Sequence, residues 1–455
     1  MFQRNIVTAL EKWRLQPNRK PLVIRGARQV GKTTLVQQFA TGFPQYIYLN
    51  LELAADRLPF EQFTNIDNLL QALFFLKNKS YQQKHHSLIF IDEIQEVPEA
   101  LNILRYFYEE APEVFVIAAG SLLETIFDQK ISFPVGRVDY LVVRPASFAE
   151  FLNAVGETAA LEQLQHTPLP AFAQHKLMQL FHTYAIIGGM PEIVQHYATY
   201  RDITALAPIY ESLITGYLDD VEKYATSNSQ VQTIRHAIRA SFVEAGKRIK
   251  FHGFGKSNYG SREMGEALRT LEKALLLHLI YPNTGATLPL LPDTRKSPRL
   301  QVLDTGMLNY FLGIQKLIIG TPDLNNVYGG NMVEHLVGQE FLATQYNALS
   351  DLHFWVREKT SSSAEVDYLL QWEGKLIPIE VKAGAEGTLR SLHLFMDTAP
   401  HSMAVRLYAG PLHISSVQTL EGKHYFLLNL PYCLATQVPT YLPWFQQQIE
   451  IKNRI

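Results

Sequence analysis

The sequence predicts an α/β protein built around a parallel sheet, and three observations carry that expectation. Residues 26–33 read GARQVGKT, set between an apolar stretch at 21–24 and a helically spaced run at 34–40. Residues 87–93, SLIFIDE, form an uninterrupted apolar run that ends in two carboxylates. Strand-like and helix-like runs alternate through residues 1–155, with strands expected near 21–25, 46–51, 87–92, 114–119 and 138–143.

The first element matches G-x-x-x-x-G-K-[ST] in full. In a strand–loop–helix setting, successive backbone N–H groups and the positive end of the helix point at one anion. Gly26, Ala27, Arg28, Gln29, Val30, Gly31, Lys32, Thr33 and Thr34 are therefore the expected nucleotide-binding residues. Lys32 would reach the β- and γ-phosphates, and the Thr33 hydroxyl would ligate Mg²⁺. A buried run such as 87–92 suits a strand covered on both faces. Ligands gather at the carboxyl ends of such strands, which places Asp92 on the metal and Glu93 on the attacking water. A neighbouring strand is expected to bring these two acids to the loop.

The next strand ends at Gly120-Ser121. Ser121 is either a sensor of the γ-phosphate or the N-cap of a following helix. Arg137 is the candidate for a charge-stabilising arginine, in cis or from a neighbouring subunit, with a solvated loop arginine as the alternative.

A chain of 455 residues calls for about three domains. Its 47% hydrophobic and 18% charged residues describe a globular protein, not a disordered one. A net charge of −2 supplies no global attraction to nucleic acid, so any such affinity is local. Cys433 is the only cysteine, which excludes an internal disulfide and a cysteine metal cage and fits a cytoplasmic protein. No window approaches 18 consecutive apolar residues, so no membrane partner is expected. The first twenty residues resemble an amphipathic helix, with Ile6, Leu10 and Trp13 on one stripe, more than a signal peptide.

Residues 156–230 turn helical, and the run 171–187 stops at Gly188-Gly189-Met190-Pro191, a strong helix end. This segment is expected to be an all-α lid beside the nucleotide. Residues 231–320 read as helix, basic loop, helix and two strands, the outline of a winged helix. Between 235 and 262, seven cations (Arg235, Arg239, Lys247, Arg248, Lys250, Lys256 and Arg262) face one acid, Glu244. Phe251, Phe254 and Tyr259 lie among them. That patch suits DNA phosphates; a solvated face or a docking surface is the alternative.

Residues 321–455 carry a second constellation. A helix holding Glu334 precedes the run EVDYLL at 365–370 and LIPIEVK at 376–382. Alternation along a strand puts Glu365 and Asp367 on one face, and Glu380 and Lys382 on one face of the next. Residues 372–375 make the turn between them, and Pro378 fits only an edge or bulged position. Converging carboxylates of this kind, Glu334, Asp367 and Glu380, can hold Mg²⁺ or Mn²⁺ for phosphodiester cleavage, with Lys382 neutralising the transition state. A structural ion-pair cluster is the alternative.

Taken together, KPLVIRGARQVGKTTLV, SLIFIDEIQEVP, AAGSLLE, VGRVDYLVVRPASFAEFL, IGGMPEIV, LQVLDTGMLNYFLG, FWVREKTSSSAEVDYLL and IPIEVKAG resemble a family of bacterial and archaeal AAA-type ATPases. Members carry a C-terminal domain of uncharacterised function related to PD-(D/E)xK nucleases. The resemblance spans nearly the whole length and implies ATP as the nucleotide. It also implies a winged-helix-like segment between the ATPase core with its helical lid and the α/β nuclease-like domain. The tripeptide SLL after Gly120 departs from the usual small polar residues and leaves Ser121 open. Three functions compete: an ATP-hydrolysing switch acting on DNA, an ATP-dependent regulator whose nuclease-like domain cuts nothing, and a nucleotide-gated scaffold. Oligomeric state is left open.

Overall fold

The computed structural model describes residues 2–63, 65–120, 136–225, 227–318, 330–359, 362–384 and 388–454. At the amino end, α1 (Val7–Arg14) buries Leu10 and Trp13 beside Ile6, the stripe that its spacing predicts. Five strands follow: β1 (Leu22–Arg25), β2 (Gln45–Asn50), β3 (Ser87–Asp92), β4 (Phe115–Gly120) and β5 (Asp139–Val142). The helices α2 (Lys32–Ala40), α3 (Ala54–Gln62), α4 (Ile66–Leu76) and α5 (Pro98–Glu110) connect the first four. All pairings are parallel, in the order β2-β3-β4-β1-β5. The carboxyl edge of this sheet carries both the phosphate loop and the Asp92–Glu93 pair. β4 lies between the strands that deliver them, so the acids do not sit on the strand next to β1 as expected.

Alternation divides the sheet cleanly. Val23, Ile89, Ile91, Val116 and Ala118 enter a core shared with α4 and α5. Leu22, Ile24, Leu88, Phe90, Ile117 and Ala119 enter a second core on the other face. Coverage of both faces is what a parallel sheet of Val, Ile and Leu runs requires.

A helical stretch follows: α6 (Phe148–Ala154), α7 (Thr158–Leu164), α8 (Ala171–Ile187), α9 (Pro191–Tyr200), α10 (Ala207–Asp219) and α11 (Val221–Tyr224). Ser147 and Glu150 close a capping box at the start of α6. The end of α8 needs two glycines for different reasons. Gly188 has φ 77, and a Cβ there would lie 2.3 Å from the Asp304 carboxylate. A Cβ on Gly189 would lie 2.2 Å from the Ala146 carbonyl oxygen. Asp304 accepts the Gly189 N–H at 2.6 Å and the Met307 N–H at 3.0 Å, which locks this crossing.

Next come α12 (Asn228–Glu244), α13 (Ser261–Lys273), β6 (Leu277–Ile280), β7 (Pro282–Asn283), β8 (Arg299–Val302), α14 (Thr305–Phe311) and α15 (Gln315–Ile318). β6 and β8 form an antiparallel ribbon, to which Arg248 adds one bridge at Arg299.

The last third holds α16 (Gly330–Ala343), β9 (Phe354–Lys359), β10 (Ser362–Val366), β11 (Tyr368–Trp372), β12 (Lys375–Val381) and α17 (Arg390–Thr398). It ends with β13 (Met403–Tyr408), β14 (His413–Gln418), β15 (His424–Pro431) and α18 (Val438–Arg454). The stretch expected as one strand at 365–370 is broken at Asp367. β10 pairs with β9 in a small sheet, whereas β11 pairs with β12 in a mixed five-stranded sheet ordered β11-β12-β13-β15-β14. Pro378 faces Leu369 on β11, and pairing with β13 begins only at Ile379. The proline thus sits where β12 has one neighbour, which its missing N–H allows.

One apolar core runs through these parts, from Ile6 at the start of α1 to Ile449 in α18. Among its ties, Phe181 packs on Tyr432 with ring centres 5.5 Å apart, and the Tyr441 hydroxyl accepts the Leu169 N–H at 2.8 Å. Among the described residues no helix is long and apolar enough to cross a membrane.

Candidate nucleotide site and the carboxyl-terminal acid cluster

The strand-to-helix turn forces the phosphate loop into left-handed backbone at Gln29 (φ 61) and Gly31 (φ 90). Gly31 takes that conformation without the Cβ penalty. A Cβ on Gly26 would meet the Val143 carbonyl oxygen at 2.5 Å, so β1 and the end of β5 approach closely only because this residue is glycine. Arg4 buttresses the loop from behind. Its Nη1 donates to Val30 O (3.3 Å), its Nη2 to Arg144 O (2.7 Å) and its Nε to Glu150 (3.0 Å).

Lys32 opens α2 and is 6% exposed. Its Nζ donates to Gly26 O and Ala27 O, each at 2.9 Å. Burial pushes its pKa down to about 8, with Glu93 and Asp92 pulling back up. A buried ammonium held only by neutral carbonyls favours an anion that brings full charge. Thr33 Oγ1 donates to Asp92 Oδ2 at 2.7 Å, and Tyr48 donates to the same oxygen at 3.3 Å. Burial raises the Asp92 pKa, and the Thr33 hydrogen bond opposes the rise. Paired hydroxyl and carboxylate oxygens beside a phosphate loop are hard donors suited to Mg²⁺. Glu93 stands at φ 51, and its carboxylate accepts from Gln95 Nε2.

The open cavity here measures about 550 Å³. Arg28, Gln29, Gly31, Lys32, Thr33, Thr34 and Glu93 line it from the sheet side, and Pro191, Glu192, Gly216, Tyr217 and Asp220 from the helical stretch. Arg28 pairs with Asp220 and, at 3.7 Å, with Glu52, while the Tyr217 hydroxyl donates to Arg28 O at 2.7 Å. Sequence reasoning missed Tyr217 and Asp220, which lie about 190 positions from Arg28.

Two expected contributors are not seen at the site. Ser121 lies outside the described residues. Arg137 precedes β5, and β5 runs parallel to β1, so Arg137 sits at the amino edge, opposite the phosphate loop. There its Nε pairs with Glu109 at 2.8 Å. Within one chain it does not complete the site.

In the last third, Glu334, Asp367, Glu380 and Lys382 do converge, but around an arginine that the sequence reading did not include. Arg299, at the start of β8, is 2% exposed. Its guanidinium pairs with Glu365, lies 3.7 Å from Asp367 and 3.8 Å from Glu334, and donates to Asp367 O at 2.9 Å. Burial opposes its charge, yet Glu365, Glu334 and Asp367 outweigh that and hold its pKa above the ordinary value. Burial and the nearby Asp367 push Glu334 up to about 8, against the pull of Arg299. Glu380 is likewise pushed to about 8 by burial and Asp367, against Lys382, with which it pairs. Asp367 Oδ2 accepts the Val381 N–H at 2.7 Å. The donor set therefore does not fit a divalent metal as it stands: a guanidinium neutralises the carboxylates, and among the described residues no group of three or more His, Cys, Asp or Glu could hold a metal ion.

The basic face is also less free than its sequence implies. Arg235 pairs with Glu222, Lys247 with Glu244, Arg248 with Glu358 and Arg262 with Glu266. Arg239, Lys250 and Lys256 are exposed and form no ion pair among the described residues.

Comparison with known proteins agrees with the geometry of the first site. Residues 18–152 match the model of an AAA domain. Residues 178–317 and 329–420 match two domains of unknown function, DUF8612 and DUF4143. None of the curated proteins searched matches the chain. Among solved structures, the Walker-type ATPase PABY2304 of Pyrococcus abyssi is 14% identical, with 69% of this chain and 96% of that chain covered at a TM-score of 0.44. The AMPPCP-bound DnaA of Aquifex aeolicus is 13% identical, with 58% and 86% covered at a TM-score of 0.24. Residues 18–152 are thus similar to AAA domains, a likeness that supports ATP binding.

Proposed function

We propose that the chain is an ATP-hydrolysing switch whose nucleotide state is read by α10 and the turn into α11. The observation that supports this is the shared wall of the cavity. Arg28, inside the phosphate loop, pairs with Asp220, and Tyr217 donates to the backbone of the same residue. A triphosphate drawn to Lys32 competes with Asp220 for the Arg28 guanidinium, and that differential contact is what a switch needs. In hydrolysis, Lys32 and the loop amides hold the phosphates, and Glu93 orients and deprotonates the attacking water. Mg²⁺, held through Thr33 and Asp92, would stabilise charge on the phosphates when bound. The core shared by all parts argues for a local response of the helical wall over a swing of whole domains.

In this reading the acid cluster of the last third cuts nothing, because Arg299 already neutralises the carboxylates. Exposed Arg239, Lys250 and Lys256 favour DNA as the partner of the middle segment. The test is ATP turnover by purified protein, measured alongside Mg²⁺- and Mn²⁺-dependent cleavage of single- and double-stranded DNA. ATP turnover without cleavage is expected. Absence of turnover removes the switch, and cleavage lost in Asp367→Ala restores the nuclease.

A further inference from the structure

The phosphate loop is held by a residue far outside its own pattern. Arg4 lies just before α1, is 8% exposed and sets three separate N–H donors on three acceptors. The acceptors come from three places: Val30 O in the loop, Arg144 O beyond the end of β5, and the Glu150 carboxylate in α6. Glu150 is 2% exposed and is fixed in turn. Its Oε1 accepts the Asn5 N–H at 2.6 Å, and its Oε2 accepts the Ser147 N–H at 2.9 Å. A guanidinium anchored by a buried carboxylate and a sheet-edge carbonyl has little freedom left, so its third contact is a firm one.

That third contact bears on Gly31. The Val30–Gly31 peptide is not among the cis bonds of the chain, and in a planar trans peptide the C=O and the following N–H point in opposite directions. With the carbonyl turned back to Arg4, the Gly31 N–H is presented on the other side. The nucleotide cavity lies there: Gly31 lines it, whereas Val30 is fully buried and does not. Among the described residues the Gly31 N–H has no hydrogen-bond partner, which leaves it for a ligand. Nothing in the loop itself fixes this orientation. Gly31 stands at φ 90, and glycine tolerates either sign of φ, so the peptide plane before it can turn over at little steric cost. Turned over, it would aim a carbonyl oxygen at the phosphates and repel them. The Arg4 charge on that carbonyl opposes the turn and polarises the N–H at the far end of the same peptide.

We propose that Arg4 is a positioning residue for phosphate binding, a role that rests on the nucleotide reading of this loop. It touches no nucleotide; it holds the Val30–Gly31 peptide with its N–H toward the phosphates. Arginine suits the task because one rigid fork reaches all three acceptors, whereas lysine is a point charge on a flexible stem.

The test uses the full chain with Arg4→Gln, and reads binding of ATP with Mg²⁺ by calorimetry beside steady-state hydrolysis, well below the unfolding temperature. ATP is expected to bind about tenfold or more weakly, the scale of one lost hydrogen bond to a charged group. KM should rise in step while kcat at saturation stays within about threefold, the sign of a contact made equally in ground and transition states. A merely structural role would lower the unfolding temperature and leave the affinity of the folded protein unchanged, and that result overturns the proposal. So does a fall in kcat with KM unchanged. Should Arg4→Gln fail to fold, Arg4→Lys decides by the same readings, because its ammonium is drawn to Glu150 and no longer spans to Val30 O. An unmodified chain that binds no ATP removes the nucleotide reading and the role of Arg4 with it. Binding by the unmodified chain that the variant keeps in full removes the role of Arg4 alone.

Discussion

Replacing Arg299 with glutamine removes the one cation that three carboxylates share inside the fold. Glutamine keeps some hydrogen bonding to Asp367 O but leaves Glu365, Asp367 and Glu334 without a positive neighbour at that position. Deleting one partner of a buried charge cluster costs about 3–5 kcal/mol, because the remaining charges stay desolvated. The cost should depend on pH in a definite direction. Glu334 and Glu380 stand at about 8 in the fold, above the ordinary carboxyl value of 4.5. A raised value means that the folded state holds protons more tightly, so their contribution is complete below about 4.5 and lost as pH rises through 8. Without Arg299 the Glu334 value moves higher still. The variant is therefore expected to lose about 3–5 kcal/mol near pH 8.5 and clearly less near pH 5.5, where protons replace the missing cation. Urea unfolding followed by circular dichroism at both pH values measures this. Arg299→Lys, which keeps the charge but loses the fork, should fall between. A loss under about 1 kcal/mol, or one equal at both pH values, refutes the account of Arg299 as the cluster's counter-ion.

Four further outcomes are expected. Lys32→Ala should weaken ATP binding about 10- to 150-fold in calorimetry, the loss of one charge-assisted contact of about 1.5–3 kcal/mol. Glu93→Gln should bind ATP as the unmodified chain does while steady-state hydrolysis falls about 10²- to 10⁴-fold. DNA affinity, if carried by Arg239, Lys250 and Lys256, should fall with salt at a log–log slope of about −3, and a slope near zero removes this face from DNA contact. Gly189→Ala should destabilise the fold by about 1–3 kcal/mol in thermal unfolding, because the new methyl meets the Ala146 carbonyl.

Much of the fold was legible because its signals are local. The five strands of the first sheet are apolar runs bounded by turn residues, and the phosphate loop is an eight-residue pattern in its proper setting. The stop at Gly188 and Gly189 was equally visible. What could not be read depends on distance in the chain. Arg299 meets Asp367 across 68 positions and Arg4 meets Glu150 across 146, and nothing in either local sequence marks the partner. The position of β4 between β1 and β3 is a matter of strand order, which apolar runs do not encode. The break at Asp367 was hidden because alternation continues evenly through Glu-Val-Asp-Tyr while the two halves join different sheets. The window at 235–262 overstates the basic patch because Glu222, Glu266 and Glu358, which pair with three of its cations, lie outside it.

The two faces of the parallel sheet have different histories during synthesis. One is completed by residues between Val23 and Val138, all of which have left the ribosome early. The other begins with Ile6, Leu10, Trp13, Leu35, Val36 and Phe39, but its core is completed only by later residues, as far along as Tyr432 and Tyr441 near the end of translation. A nascent chain of 155 residues would thus own a finished half-core on one face and a part-built core on the other, the kind of exposed apolar surface that chaperones shield and that aggregates when left alone. Truncation to the ATPase third should reproduce that unfinished state permanently.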